Sequence, residues 1–308
     1  MSDQVPTTFV TTFENNMRLA MNQHKSLWFD VLPERTGTGS ELKQLDDVIG
    51  QVMSRKGSDD GRHGDVQYAN TGHSRVWVAK PDFHYYAELV DNDDQVQAAI
   101  NLTSGYMQTG VATINRGKDD EAIAGFFGSM ITGKSGQTTT PFPSGNVIGA
   151  DVGGVATVAT GLNIAKLRAA RRKRAENFVD MSRRAKMIVT ADDTDQLLNE
   201  MPVTSREFGA EGGELRDGKL RALMGFDFIE METANPLFHN AGLVDAGSGN
   251  RKTPWWEDGM LVRVPWYMKT TIDRMPGKHG STQVYASLCA AVTRTDDAAV
   301  GYILNKRN

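Results

Sequence analysis

Apolar residues fall in blocks whose spacing changes along the chain. Near the start, Phe9, Phe13, Met17, Leu19, Met21, Leu27, Trp28 and Phe29 stand among polar neighbours, ahead of the loop-forming stretch PERTGTGSE. An arm of this kind either packs on its own domain or lies across a neighbour. From Asp47 the chain reads as extended through VIGQVMSR, passes a polar, glycine-punctuated stretch KGSDDGRHGDVQYANTGH, and returns through SRVWVAK. β-Branched and aromatic residues favour a strand in the return leg. The pattern predicts a long hairpin with an exposed tip, and its polar middle is longer than most connections between elements.

KPDFHYYAELVDNDDQVQAAIN reads as helical turns. After it, Ser104 to Met130 runs without proline, a helix about 40 Å long at 1.5 Å per residue. Met107, Val111 and Ile114 share one side of its first half, while Ile123, Phe127 and Met130 form a differently oriented stripe in the second. A helix whose buried face turns along its length has different neighbours at its two ends. Pro141 and Pro143 then impose loop and short strand. A second helix follows in LNIAKLRAARRKRAENFVDM, with Ile164, Leu167, Ala175 and Phe178 on one side. AKMIVTADDTDQLLNE predicts a strand over Met187 to Val189 that turns into a helix at an Asp-rich start. KLRALMGFDFIEME reads as two strands around a glycine turn. The remainder is strand-rich, and its last piece is predicted to be a hairpin around Thr295 to Asp297. Helices and strands in this mixed order give an α+β fold.

Composition narrows the chemistry. With 308 residues, 39% hydrophobic and 23% charged, the chain can bury a sizeable core in one large or two ordinary domains. A net charge of −4 argues against a surface built wholly for polyanions. The single cysteine, Cys289 in VYASLCAAV, excludes an internal disulfide framework and reads as a buried thiol. No run of about 18 apolar residues appears, and the start lacks a basic segment followed by an apolar one.

GSMITGKS, Gly128 to Ser135, satisfies the G-x-x-x-x-G-K-[ST] pattern of phosphate-cradling loops. That chemistry needs a strand before the loop and a helix after it, so that helical N–H groups face the phosphates. Here a predicted helix precedes the loop and GQTTTPFP follows it, so the order is wrong for a P-loop NTPase. A second candidate is the basic run Lys166, Arg168, Arg171, Arg172, Lys173 and Arg174 in the helix spanning 164–178, which could track nucleic-acid phosphates. On a helix these charges surround most of the circumference, and no aromatic residues interleave to stack bases. A solvated helix, or one pairing charges across an interface, is the simpler reading. The six histidines show no metal-ligand spacing, and no G-x-S-x-G elbow occurs. The acidic pairs Asp59/Asp60, Asp119/Asp120 and Asp192/Asp193 read as turn or helix-start residues. With no catalytic constellation, no metal site and no cofactor motif, the sequence points to a structural or binding role.

The order of segments, a sticky arm, a long extended hairpin, a long helix, a mixed α/β stretch and a return to strands, resembles the tailed-phage major capsid proteins of the Hong Kong 97-type fold. Local stretches resemble one branch of these proteins: DNDDQVQAAINLTSGYMQ, KDDEAIAGFFGSMITG, WWEDGMLV and PGKHGSTQVYASLCAAVTR, with Asn101-Leu102-Thr103 where that branch prefers Asp-Pro. The resemblance implies an N-terminal arm over 1–45, an extended loop over 46–82, and a peripheral domain over 83–143 and 259–308 with a spine helix over 104–130. It implies an axial domain over 144–258, in which glycine-rich GADVGGVATVATG and GAEGGE would serve as joints. On this reading the chain self-assembles into pentamers and hexamers of an icosahedral shell around double-stranded DNA, without catalysis or cofactor. Contacts between copies are expected at Phe9, Phe13, Trp28, Tyr68, Arg75, Trp77, Arg171 and Arg172. Further partners on this reading are scaffolding, portal and decoration proteins, and packaged DNA touched weakly and without sequence preference. Assembly would take place in the host cytoplasm. The readings set against it are a nucleic-acid-binding protein using helix 164–178 and a P-loop NTPase.

Overall fold

The structure is a computed structural model, and it describes residues 25–37, 42–49, 73–91, 102–154, 158–200, 220–231, 243–245 and 247–306. Among these, three sheets and three α-helices carry the architecture. Strands β1 (Leu42–Ile49), β2 (His73–Ala79), β4 (Met130–Thr132) and β5 (Thr138–Thr140) form a four-stranded antiparallel sheet in the order β1-β2-β4-β5. Of the first predicted leg, Asp47–Ile49 pairs with the returning leg at Arg75–His73, the strand begins earlier than predicted, at Leu42 opposite Ala79, and the rest of that leg lies outside the described residues. β3 (His84–Val90), β11 (Leu261–Arg274) and β12 (Thr282–Arg294) form a second sheet with β12 in the centre. The third, six-stranded sheet has the order β6-β13-β10-β7-β9-β8, built from β6 (Val147–Ile148), β7 (Ala185–Val189), β8 (Ala222–Leu223), β9 (Phe226–Glu230), β10 (Arg251–Trp256) and β13 (Val300–Asn305).

Helix α1 (Leu102–Phe127) has 26 residues and lies along β12. It can lie close because glycines face the sheet. A Cβ at Gly125 would sit 2.0 Å from the Val292 carbonyl oxygen, whereas one at Gly117 would meet only Leu288 Cδ2 at an ordinary 3.7 Å. Helix α2 (Ile164–Glu176) starts at Asn163, whose side chain accepts from the Lys166 N–H. Helix α3 (Ala191–Leu198) starts at a capping box in which Thr190 and Asp193 satisfy each other's backbone N–H groups.

Two apolar cores meet at β10. Side chains alternate across a strand, so Trp256 enters a core with Trp28, Phe29, Ile123, Phe126, Leu261, Leu288 and Val300. Trp255, next to it, enters a core with Leu167, Ala185, Met187, Val189, Phe226 and Ile303.

Three expectations are corrected. The stretch after Lys80 forms strand β3, because Tyr85, Tyr86 and Ala87 pair with Ser287, Ala286 and Tyr285 of β12, a long-range pairing that overrides the local pattern. The segments flanking Thr295 are not a hairpin: β12 stays in the three-stranded sheet while β13 crosses into the six-stranded one, between β6 and β10. Asp119 and Asp120 lie inside helix α1 rather than at a turn or helix start. The P-loop-like stretch is a helix exit followed by the β4–β5 hairpin, whose tip holds Gly133 and Gly136 at φ 97° and 70°. No helix among the described residues is long and apolar enough to cross a membrane.

Gly125→Ala is expected to destabilise the protein by about 3 kcal/mol, because backbone must move to admit the methyl group. Gly117→Ala is expected to stabilise it by about 0.5–1 kcal/mol through helix propensity. Urea denaturation of the two variants checks both signs.

Candidate functional site

The first described segment is held by one carboxylate. Asp119 Oδ1 accepts from Ser26 Oγ (2.5 Å), Trp28 N (3.0 Å) and Phe29 N (3.2 Å), and Oδ2 accepts from Leu27 N (3.1 Å). The group is fully buried, and a buried carboxylate is tolerable only when so many donors replace its water. With the backbone thus turned, Trp28 stacks on Trp256 at 5.3 Å between ring centroids and lies 5.6 Å from Phe126. On the other side Arg263 of β11 pairs with Asp30 (2.9 Å) and Glu34 (3.1 Å). Backbone bonds from Arg35 and Gly37 to the carbonyls of Arg263 and Pro265 carry the segment along that strand.

The far end of α1 is held by Arg294. Its Nη1 donates to the carbonyls of Phe126 and of Gly128 (2.6 Å), its Nε donates to Asp297 (2.7 Å), and its guanidinium lies over the Phe142 ring. A cation at a helix C-terminus meets carbonyls that the helix leaves unpaired. In the second core Arg174 of α2 and Glu257 form a buried pair at 2.6 Å. Arg251 bonds Asp193 at 2.6 Å and Asp192 at 3.2 Å, and Asn305 bridges from Asp193 to Thr253 and Lys166. Lys166 Nζ also donates to the carbonyls of Thr160 (2.7 Å) and Leu304 (2.8 Å). Burial pushes this ammonium down to about 8, against the opposing pull of Asp193 and Asp151.

A groove of about 590 Å³ runs beside α1, lined in part by His84, Thr113, Arg116, Gly117 and Glu121. In it His84 Nε2 bonds Glu121 at 2.8 Å, which ties β3 to the helix. Burial raises the Glu121 carboxyl above its usual range while His84 draws it back. No group of three or more His, Cys, Asp or Glu residues placed to hold a metal occurs among the described residues. Cys289 is buried and its thiol faces the Pro81 carbonyl.

The most conspicuous surface is apolar. Phe83, Tyr85, Leu89 and Tyr267 are exposed on or beside the edge strands β3 and β11 on one face of the three-stranded sheet, with Tyr85 at 70%, while Met268 and Ile272 are exposed on the other face of β11. Phe83 meets Tyr267 edge-on, and Tyr85 stacks with Tyr285 across the strands. An aromatic face such as that of Phe83, Tyr85 and Tyr267 marks a surface that another molecule covers.

The residues expected at contacts between copies separate. Phe9, Phe13 and Tyr68 lie outside the described residues. Trp28 is corrected: at 0% exposure its ring belongs to the core of its own chain, because Asp119 fixes its backbone. Arg75 and Trp77 are half-buried on β2, where the Trp77 indole donates to the Gly133 carbonyl at 2.7 Å. Arg171 and Arg172 are exposed on α2, as is Arg168, and Arg172 pairs with Glu176 at 3.4 Å. The basic run is therefore split, with Lys166 and Arg174 inside the fold and the middle arginines outside. Asp119, Arg294 and Glu257 were not singled out by role in the sequence. Apart from Asp297, three residues from Arg294, their partners lie far along the chain, and local spacing carries no trace of such pairings.

Comparison with known proteins supplies the context. The profile of the family described as phage capsid protein matches residues 5–307. No curated protein matches the chain by sequence. Among solved structures, the capsid of cyanophage P-SCSP1u is similar with a TM-score of 0.71 at 14% identity, covering 97% of this chain and 94% of that one. The cyanophage Pam1 capsid gives 0.68 at 11% identity, covering 99% of each chain. The mature capsid of bacteriophage PhiM1 gives 0.68 at 11%, covering 97% of this chain and 92% of that one. At such identities the likeness establishes the fold, the Hong Kong 97-type α+β fold, and the family profile establishes kinship.

Asp119→Ala is expected to cost about 3 kcal/mol or more, because a hydroxyl and backbone N–H groups lose a charged acceptor in a largely buried site; the shift in urea midpoint measures it. Lys166 gives a pH signature. Unfolded, the lysine holds its proton up to about 10.5; folded, only to about 8. Between those values folding releases a proton, so stability should rise with pH across that window by about 3 kcal/mol and stay flat with respect to this group below it. Lys166→Met should remove that rise when melting is followed from pH 7 to 10.5.

Proposed function

The chain belongs to the phage capsid protein family, so it is a structural, non-enzymatic major capsid protein of a tailed-phage shell, and we propose how its segments serve that shell. The observation that carries the reading is the exposed aromatic and aliphatic face of β3 and β11, a surface that an isolated soluble chain gains nothing by showing. Copies packed in a shell bury it, and burial of apolar surface drives association at roughly 25 cal/mol per Å² before the costs of ordering are subtracted.

Residues 1–45 would form the N-terminal arm, with the stretch after Lys25 serving as its root on the chain's own core. Residues 46–82 would form the extended loop reaching a neighbour, carried on the β1–β2 pair. Helix α1 with the three-stranded sheet would form the peripheral domain, and the six-stranded sheet with α2 and α3 the axial domain. Since β13 pairs with β6 and β10, Val300–Asn305 would go with the axial unit on this division, whereas the resemblance assigned 259–308 to the peripheral one. Phe9, Phe13, Tyr68, Arg75, Trp77, Arg171 and Arg172 would lie at or near contacts between copies in pentamers and hexamers. A net charge of −4 suits a wall that encloses DNA and touches it weakly. Scaffolding, portal and decoration proteins would join the same particle, and its assembly would precede release from the host cytoplasm.

Negative-stain electron microscopy of the purified chain is expected to show capsomer rings or closed shells. Removing residues 1–24, which leaves the Asp119-anchored root in place, should abolish them while the melting temperature holds. Phe83→Ser with Tyr267→Ser should also reduce particle yield in a folded chain. Wild-type protein that stays monomeric at every concentration and salt tried would contradict assembly by this chain alone.

A further inference from the structure

Among the described residues only Phe178, Met224 and His279 combine a side chain beyond glycine with a left-handed backbone, at φ 56°, 53° and 51°. Two of the three flank one groove. Helix α2 ends in a Schellman arrangement: Phe178 N–H donates to the Ala175 carbonyl and Val179 N–H to the Arg174 carbonyl, both at 3.1 Å. Glycine is the usual residue where Phe178 stands, since it enters the left-handed region without steric cost. Met224 and Gly225 fill the β8–β9 turn, both at positive φ, a turn that favours Asn-Gly. At each position the chain carries a large apolar residue in place of the one the backbone prefers.

The Phe178 ring gains nothing within its own chain, for it is 97% exposed. Beside it lies a groove of about 570 Å³ lined by Arg168, Arg171, Arg172, Ala175, Met181 and Met224. The patch thus offers an aromatic knob next to an apolar hollow with a basic rim. Two residues after Phe178, Asp180 is exposed and accepts from Ser182 N–H at 2.9 Å, which holds its carboxyl below the usual range. The knob therefore carries a negative charge, and the hollow is bordered by positive ones.

We infer that this corner is an interlock between copies of the chain: Phe178 of one copy seats against Ala175, Met181 and Met224 of the next, with Asp180 facing the rim of Arg168, Arg171 and Arg172. Residues held in unfavourable backbone regions persist where another contact compensates: Met224 packs in part against its own core, whereas for the exposed Phe178 that contact is intermolecular. Nucleic acid fits less well, because Asp180 beside the knob and Glu176 among the arginines would repel phosphates. The inference rests on the shell reading, which supplies a second copy at high local concentration.

Phe178→Gly separates a structural role from an interlocking one. Glycine relieves the backbone, so the melting temperature of the unassembled chain should rise by about 2 °C. Loss of the knob should raise the protein concentration needed for rings or shells about tenfold. In a Cys289→Ala chain, Phe178→Cys with Met224→Cys should give disulfide-linked ladders between copies in oxidised particles. A glycine variant that assembles like wild type, or particles without such ladders, overturns the interlock and leaves the shell reading standing. A wild-type control that forms no particle overturns the interlock and assembly by this chain alone.

Discussion

Helix α1 lies against β12 with no room for a side chain at Gly125, and much of the fold is arranged around that contact. A helix this close to a strand cannot slide, because its ridges and the strand's pleat are locked at backbone distance. Buried charged groups then fix what the helix touches. Asp119, near the middle of its second half, gathers Ser26 and the N–H groups that follow. Arg294, at its end, gathers the last carbonyls and the turn beyond β12. The first described residues, the helix and the C-terminal strands are thereby made one unit, although they lie far apart in the chain. Load applied to an arm rooted at residues 25–37 would reach the helix through Asp119.

Charge in this protein has two employments that composition cannot tell apart. Lys166 and Arg174 belong to the same run as Arg171 and Arg172, yet the first two are buried and bonded to α2's neighbours while the others face solvent. Inside, a charge without a partner would be costly, so each ion is matched: Arg174 with Glu257, Arg251 with Asp193, Lys166 with carbonyls and Asn305. Such matching is directional and ties α2 to β13, whereas apolar packing alone would tolerate sliding.

Legibility in the sequence followed the range of the interaction. The long helix, the Asp-rich start of α3 and the returning strand β2 were readable, because helix periodicity, capping and strand composition are local. β3 was misread as helical turns, since only its pairing with β12 makes it a strand. The crossing from β12 to β13 was misread as a hairpin for the same reason: the sequence at Thr295–Asp297 turns, but which sheet receives the next strand is decided by β10 and β6. Trp28 was assigned to a contact between copies through the resemblance, and of the two fates open to its segment the bonds to Asp119 show it packed on its own chain. The exposed face of β3 and β11 was likewise invisible, for both strands read as ordinary strand or helix until the sheet edges were known.

Burial and strain are distributed in opposite ways, and that contrast bears on function. Where the chain serves its own stability it uses the residue the backbone wants: glycine at Gly125, a capping box at Thr190, a cation at the end of α1. At Phe178 and Met224 it does the reverse, placing bulky apolar groups where glycine or asparagine would be easier, at a spot where the isolated fold draws no packing from the phenyl ring. A shell subunit has reason to behave so. Too stable a capsomer contact in the free chain would trap wrong assemblies, while a contact whose cost is met only when a second copy arrives favours the complete particle over the isolated subunit. At Phe178, left-handed, exposed and apolar, the subunit's preference for company over isolation is written in its backbone.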